Sequence, residues 1–258
     1  MFFIDGIGQQ FIPIPKQELR IVSLVPSQTE LLVDMGLEKQ LIGITKFCVH
    51  PSYLKKNITI VGGTKKVNKE KIKDLKPNLI LCNKEENTKA IVKELKEIAP
   101  VWVTDIYTFD DFKTTIRNLG EFFGVEKVSS EMLEQIAIKE IEFQRFIYDK
   151  PQKKVLYLIW KDPYMAAGKN TFINNLLLQN KFINVLEDDS RYPEVTPDCT
   201  PKPDVILLSS EPYPFSEKHQ KKIEEEWQVP TMLVDGEYFS WYGSRLLHAF
   251  DYFRKLHI

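Results

Sequence analysis

The residues in this chain best suited to a molecular task are aromatic. Phe47, Trp160, Tyr164, Tyr192, Tyr213, Phe215, Tyr238, Phe239, Trp241 and Tyr242 fall at expected strand ends and loops. Rings in such places offer large flat contact area at small entropic cost and suit a planar or bulky ligand. Any one of them taken alone is more simply core. The run Phe239-Ser240-Trp241-Tyr242-Gly243-Ser244-Arg245, however, crowds together more rings than can all face inward.

Residues for catalysis are not assembled in any recognisable pattern. There is no G-x-S-x-G, no G-x-x-x-x-G-K-[ST] and no G-x-G-x-x-G, and Gly62-Gly63-Thr64-Lys65 is only a short glycine turn. His50, His219, His248 and His257 are dispersed. Cys48 and His50 form a C-x-H pair without the further ligands that a metal site needs. Cys48, Cys82 and Cys199 make no disulfide framework and no C-x-x-C pair, which is compatible with a reducing compartment. The expectation is therefore no enzyme, no catalytic residue, no metal and no covalent cofactor.

Charge narrows the partners. Thirty-five Lys and Arg against 36 Asp and Glu leave a formal net charge of -1 over 258 residues, so no strong field attracts nucleic acid or an anionic membrane. No apolar run approaches the ~18 residues of a membrane span, so no membrane insertion is expected. The start, Phe2-Phe3-Ile4 followed by Asp5, shows no signal peptide, which leaves a cytoplasmic location open.

The elements that must position the rings alternate between strand and helix. Phe2 to Ile4 and Phe11 to Ile14 read as a small hairpin. Arg20 to Val25 is a strand, and Ser27 with Glu30 reads as a capping box opening a helix that runs to Gly36. Strands at Leu41 to Ile44, Ile58 to Val61, Leu79 to Cys82 and Val101 to Val103 follow, with helices at 68–75, 85–98 and 109–123 between them. The same alternation resumes with strands at 155–159, 205–208 and 232–234 and helices at 171–180, 217–227 and 241–256. This order predicts mainly parallel sheets covered on both faces. Lys76-Pro77-Asn78-Leu79-Ile80-Leu81 is echoed by Lys202-Pro203-Asp204-Val205-Ile206-Leu207, a weak repeat in identity and a good one in order.

Between the two series, Val125 to Tyr148 lacks glycine and proline and reads as one long helix. Val125, Val128, Met132, Leu133, Ile136, Phe143, Phe146 and Ile147 form its apolar face, while Ile138 and Ile141 point elsewhere. The expected α/β architecture is two Rossmann-like lobes, 1–124 and 151–258, joined by a single linking helix over 125–150, with a ligand cleft between the lobes.

Several segments together resemble the helical-backbone (class III) substrate-binding proteins of ABC importers, in particular their cobalamin-binding branch. They are Arg20-Ile21-Val22-Ser23-Leu24-Val25-Pro26-Ser27-Gln28-Thr29-Glu30-Leu31-Leu32, Gly43 to Pro51, Asn68 to Leu81, Ala167-Gly168-Lys169 and Ser244-Arg245-Leu246-Leu247. The resemblance implies a monomeric periplasmic or cell-surface protein that binds cobalamin or a related metal chelate and delivers it to an ABC permease. It implies ligand contacts from Phe47, Asn83, Tyr164, Met165, Tyr192, Glu237, Trp241 and Arg245, and permease docking by Glu70 and Asp198. Thr64, Asn83 and Met165 stand where the best-known member has large rings, so a siderophore, haem or another iron chelate stays open beside cobalamin. A cytosolic ligand sensor, or an enzyme using the same cleft, stays open as well.

Overall fold

The computed structural model describes residues 2–186, 188–189 and 191–257. The chain divides into two units: 1–106 with 110–135 and 242–245, and 107–109 with 136–241 and 246–258.

In the first unit a small antiparallel hairpin, β1 (Phe3–Ile4) and β2 (Gln10–Phe11), precedes the sheet. The sheet contains β3 (Ile21–Ser23), β4 (Leu41–Ile44), β5 (Thr59–Ile60), β6 (Leu79–Asn83) and β7 (Val101–Thr104) in the order β5-β4-β3-β6-β7, all parallel. The helices are α1 (Pro26–Asp34), α2 (Leu54–Asn57), α3 (Lys69–Asp74), α4 (Lys89–Leu95), and most of α5 (Phe109–Phe122). Strands buried on both faces need apolar residues at successive positions. Val22, Ile80, Cys82, Val101 and Val103 pack with Ile72 of α3 and Ile91, Val92 and Leu95 of α4. On Trp102 the rings of Phe11 and Phe122 lie 4.8 Å away at each centroid. The hairpin also closes the exposed edge of β7. Gly6 donates its N–H to Val103 O at 2.8 Å, and Asp5 Oδ2 accepts from Val103 N–H at 3.0 Å. An edge strand paired in this way is no longer open to another chain.

α6 (Glu126–Ile147) is the long helix, and the division between the units falls within it, between Gln135 and Ile136. Gly124 turns the chain from α5 into α6 at φ 65°, a conformation that glycine adopts without steric cost. Ser129 of α6 sits where a Cβ on Gly120 of α5 would be, so the two helices approach closely there. Ile136, Phe143 and Ile147 are fully buried. Val128 instead is 37% exposed, because Ser129 takes the buried place beside Gly120. Ile138 and Ile141 are exposed, as their positions off the stripe predict.

The second unit contains β8 (Lys153–Trp160), β9 (Met165–Ala166), α7 (Phe172–Gln179), β10 (Phe182–Asn184), β11 (Val205–Ser209), α8 (Glu217–Trp227), β12 (Thr231–Val234), α9 (Glu237–Ser240) and α10 (Leu246–Arg254). Its sheet order is β10-β8-β11-β12, all parallel, with β9 antiparallel to β8. One face packs Leu156, Leu158, Ile206 and Leu208 on Ile223 and Trp227 of α8. On the other, Tyr157 meets Phe239 at 5.1 Å, Phe239 meets Phe253 at 4.8 Å, and Phe143 of α6 meets Phe250 at 5.6 Å.

The sheets share a topology. In each, the first strand is flanked on one side by the parallel strand that follows it and on the other by the later pair, β6 then β7 in the first sheet and β11 then β12 in the second. The point where strand order reverses is where open α/β sheets place ligands, outside the strand C-terminal ends. The repeated Lys-Pro phrase leads into equivalent strands, β6 and β11. Its polar residue does the same work in both: Asn78 Oδ1 accepts Arg20 N–H at 2.8 Å, and Asp204 Oδ2 accepts Lys154 N–H at 2.7 Å.

Three expectations are corrected. The capping box at Ser27 does not form: Pro26 occupies the first turn of α1 behind an uncapped Val25, and Glu30 is held by Arg245. The helix expected over 241–256 begins only at Leu246, as α10, because the chain leaves the separate short helix α9 through an extended residue, Trp241. Gly243 follows, packed so that a Cβ would lie 3.2 Å from Ser27 O. The helix expected over 85–98 begins later, at Lys89, because Thr88 caps it by accepting from Ile91 N–H.

Candidate functional site

The C-terminal strand ends of the first unit are built from buried polar side chains. Thr29 Oγ1 donates to Ser23 Oγ at 2.8 Å, and Cys48 Sγ lies 3.1 Å from Thr29 Oγ1 and 3.2 Å from Thr45 Oγ1. Burial raises the pKa of the Cys48 thiol, with the hydrogen bonds to Thr29 and Thr45 opposing it. Cys82 is pushed up to about 12 by burial alone. Asn83, fully buried, donates through Nδ2 to Thr104 O at 3.0 Å and to Thr104 Oγ1 at 2.9 Å, while its Oδ1 accepts from Glu85 N–H at 2.8 Å. Gln28 reaches the same Thr104 hydroxyl from α1. Close by in the chain, burial raises the Glu86 carboxyl, partly offset by Lys65 and a hydrogen bond with Thr64.

Past the end of β4, Phe47 is 49% exposed. Its N–H donates to Thr45 Oγ1 at 3.2 Å, and a Cβ on Gly63 would lie 3.1 Å from its ring edge, so glycine leaves the ring room beside the turn. Lys46 Nζ is 4.9 Å from the ring centroid. Arg245 is paired within this unit: Nε lies 2.9 Å from Glu30 Oε2 and Nη2 lies 2.6 Å from Glu30 Oε1. Glu70 is exposed in the first turn of α3, where Asn68 caps the helix by accepting from Lys71 N–H at 3.0 Å.

In the second unit, Tyr164, Met165 and Tyr192 are brought together. Val195 N–H donates to Tyr164 O at 3.0 Å, Ala166 N–H donates to Pro193 O at 3.1 Å, and Met165 bridges to Glu194, so residues 164–166 run antiparallel to 193–195. Tyr164 Oη donates to Glu226 at 2.9 Å, and its hydroxyl is raised by burial first and by that carboxylate second. Trp160, at the end of β8, is 41% exposed and meets Tyr213 edge-on at 5.7 Å. Glu237 opens α9, its N–H donating to Asp235 Oδ1 at 3.1 Å. Trp241 is nearly buried and donates through Nε1 to Glu211 Oε1 at 2.8 Å, an oxygen that also accepts from Ser240 Oγ at 2.6 Å. Asp198 is exposed in a turn over 197–199.

Glu211 was missed in the sequence reading. Its signal was there, a carboxylate two residues beyond the end of the strand Val205–Ser209. Among the described residues no group of three or more His, Cys, Asp or Glu side chains is placed to hold a metal ion. No described helix is long and apolar enough to cross a membrane.

A family profile described as periplasmic binding protein matches residues 21–226. The chain belongs to this family. Among its relatives, the ABC transporter substrate-binding lipoprotein YvrC of Bacillus subtilis is 29% identical over 216 residues, covering 80% of this chain and 68% of that protein. A vitamin B12-binding protein of Pectobacterium atrosepticum is 24% identical over 239 residues, covering 89% of this chain and 85% of the relative. Among solved structures, the periplasmic heme-binding protein RhuT of Roseiflexus sp. RS-1 superposes with a TM-score of 0.77 at 19% identity, covering 93% of this chain and 99% of that one. The vitamin B12-binding protein BtuF of Vibrio cholerae gives 0.75 at 18% identity, covering 92% and 97%. As a periplasmic binding protein, the chain is a substrate-binding component of an ABC transporter and not an enzyme, with a small molecule and a permease as its partners.

Proposed function

We propose that this periplasmic binding protein takes a bulky, ring-bearing metal chelate, cobalamin or an iron chelate such as haem or a ferric siderophore, and delivers it to its permease. The observation that carries the reading is one exposed ring past a strand C-terminal end in each unit. Phe47 lies beyond β4, the strand beside β3, and Trp160 ends β8, where the strand order of the second sheet reverses, and they are 49% and 41% exposed. Large rings left in solvent at a ligand-binding edge are there to be covered by a ligand. Relatives named for vitamin B12 and for heme support the same class.

Phe47, Trp160, Tyr164, Met165, Tyr192, Glu237 and Trp241 supply ligand contacts in this reading, while Asn83 and Arg245 hold the loops beside them through the hydrogen bonds described. Glu70 and Asp198, both exposed, are the carboxylates that meet the permease. The protein works as a monomer on the periplasmic or outer face of the cell. Calorimetry with cyanocobalamin, haemin and a ferric siderophore tests the ligand class. Saturable binding of one of them is expected, and no heat with any at high micromolar concentration overturns the proposal.

A further inference from the structure

Behind the exposed ring of Trp160 stands a tier of further rings. Trp160 meets Tyr213 at 5.7 Å with the two planes 74° apart. Tyr213 is half-buried and lies 4.8 Å from Phe215, which is buried in the core with Ile223 and Trp227 of α8. The backbone is fixed as well. Tyr213 N–H donates to Ile159 O at 3.3 Å, and Phe215 N–H donates to Ser209 O at 3.4 Å, at the ends of β8 and β11. Side-chain torsions are then what sets the angle between Trp160 and Tyr213.

His219 governs one of them. It is the third residue of α8, on the helix face that carries Ile223 and Trp227 inward one and two turns later. Ser216 N–H, which can only donate, lies 3.1 Å from His219 Nδ1, so Nδ1 carries the lone pair. A neutral imidazole then holds its single proton on Nε2, and that N–H donates to Tyr213 Oη at 3.0 Å. The imidazole also packs on both aromatic side chains, 5.3 Å from Tyr213 and 5.8 Å from Phe215. Capping alone does not account for a histidine here. A glutamate closes the same box and also answers the helix dipole. What the imidazole adds is a second nitrogen on a rigid ring, and that nitrogen is the one that reaches Tyr213.

We infer that Trp160 and Tyr213 form one stacking platform, in which Trp160 contacts a ring of the chelate and His219 is the positioning residue that holds Tyr213 behind it. The inference rests on the proposed ring-bearing chelate and on Trp160 as one of its contacts. Neither Tyr213 nor His219 belongs to the set of contacts that the family resemblance implies.

Cyanocobalamin, haemin and a ferric siderophore are titrated into the full chain by calorimetry, and the tightest binder of the three is carried through the variants. Trp160→Ala is expected to weaken it about two- to ten-fold, the loss of one stacking ring. Tyr213→Phe keeps the ring and cuts the hydroxyl contact. His219→Asp keeps a side chain favoured in the first turn of a helix but too short to reach Tyr213. Each of these two is expected to melt as the parent does and to weaken the chelate about two-fold or more. On the Trp160→Ala background neither weakens it further, because their effect runs through Trp160. Tyr213→Phe leaves α8 and its cap untouched, so it decides the outcome if His219→Asp melts lower. Unchanged affinity in Tyr213→Phe, or an equal further loss on the Trp160→Ala background, overturns the inference and leaves the ligand class standing. Binding of none of the three chelates by the parent chain overturns both.

Discussion

Arg245 forks onto Glu30 across 215 residues of sequence, with Nε at 2.9 Å from one carboxylate oxygen and Nη2 at 2.6 Å from the other. The two side chains are 12% and 15% exposed. The pair fastens residues 242–245 into the first unit, where Gly243 packs on Ser27 at the start of α1. It also explains why α1 lacks its capping box, since a carboxylate gripped by arginine cannot turn back to cap the helix.

Removing one partner strands a largely buried charge. Arg245→Ala is expected to cost about 2–4 kcal/mol, somewhat below a fully buried pair because some solvent reaches both groups. Glu30→Gln with Arg245→Met should cost less than Arg245→Ala alone, since no charge is then left unpaired. Urea unfolding midpoints of the three variants check this, and an unchanged midpoint for Arg245→Ala shows that the pair is worth nothing.

Acid should loosen the second unit through His257. The ring stacks on Phe182 at 5.0 Å, with Phe143 at 5.9 Å, and is 8% exposed. Desolvation first, then Lys153, Lys150 and Lys181, lowers its pKa from 6.5 to about 4. The unfolded chain therefore binds the proton more readily than the folded one. Stability from this group is fully present above pH 6.5 and is lost as pH falls toward 4. The loss is on the order of 2 kcal/mol after allowance for solvent near the ring. His257→Phe keeps the stack and removes the titration, so its melting temperature should fall less over that window. Parallel pH curves for variant and parent count against this account.

How much of this was legible beforehand depends on whether the deciding contact is local. Asn68 caps its helix as a short-range pattern predicts, and the alternation of apolar strands and charged helices placed both sheets. β10, only Phe182–Asn184, was too short to show a period. Glu30 was misread because its partner lies at the far end of the chain. Val128 was misread because Gly120 admits Ser129 rather than a larger side chain, a fact about the neighbouring helix. Asn83 stands at the predicted strand end, yet only the structure shows its amide bound to Thr104.

The close approach of α5 and α6 makes a clean test of packing. Gly120→Ala puts a methyl group where Ser129 stands, and overpacking of this kind costs about 1–3 kcal/mol. Ser129→Gly on the Gly120→Ala background should recover part of the loss, limited by the ~1 kcal/mol that glycine costs in a helix interior. A non-additive pair in thermal melts supports the contact, and strict additivity denies it.

Ligand affinity and delivery should separate cleanly between Phe47 and Glu70. Phe47 is half-exposed and carries little of the core, so Phe47→Ala should leave the melting temperature unchanged. Loss of one stacking ring, worth about 0.5–1.5 kcal/mol, should weaken ligand binding about two- to ten-fold. Glu70 lies in the exposed first turn of α3, where Glu70→Gln removes a favourable helix-dipole charge worth at most about 1 kcal/mol and touches no proposed ligand contact. Its equilibrium affinity for ligand should therefore match the parent. Glu70→Arg, which reverses the charge offered to the permease, should cut uptake in reconstituted vesicles carrying that permease more than Glu70→Gln does. Full uptake by Glu70→Arg would remove Glu70 from the docking surface, and a loss of ligand affinity in either Glu70 variant would place the residue at the ligand site.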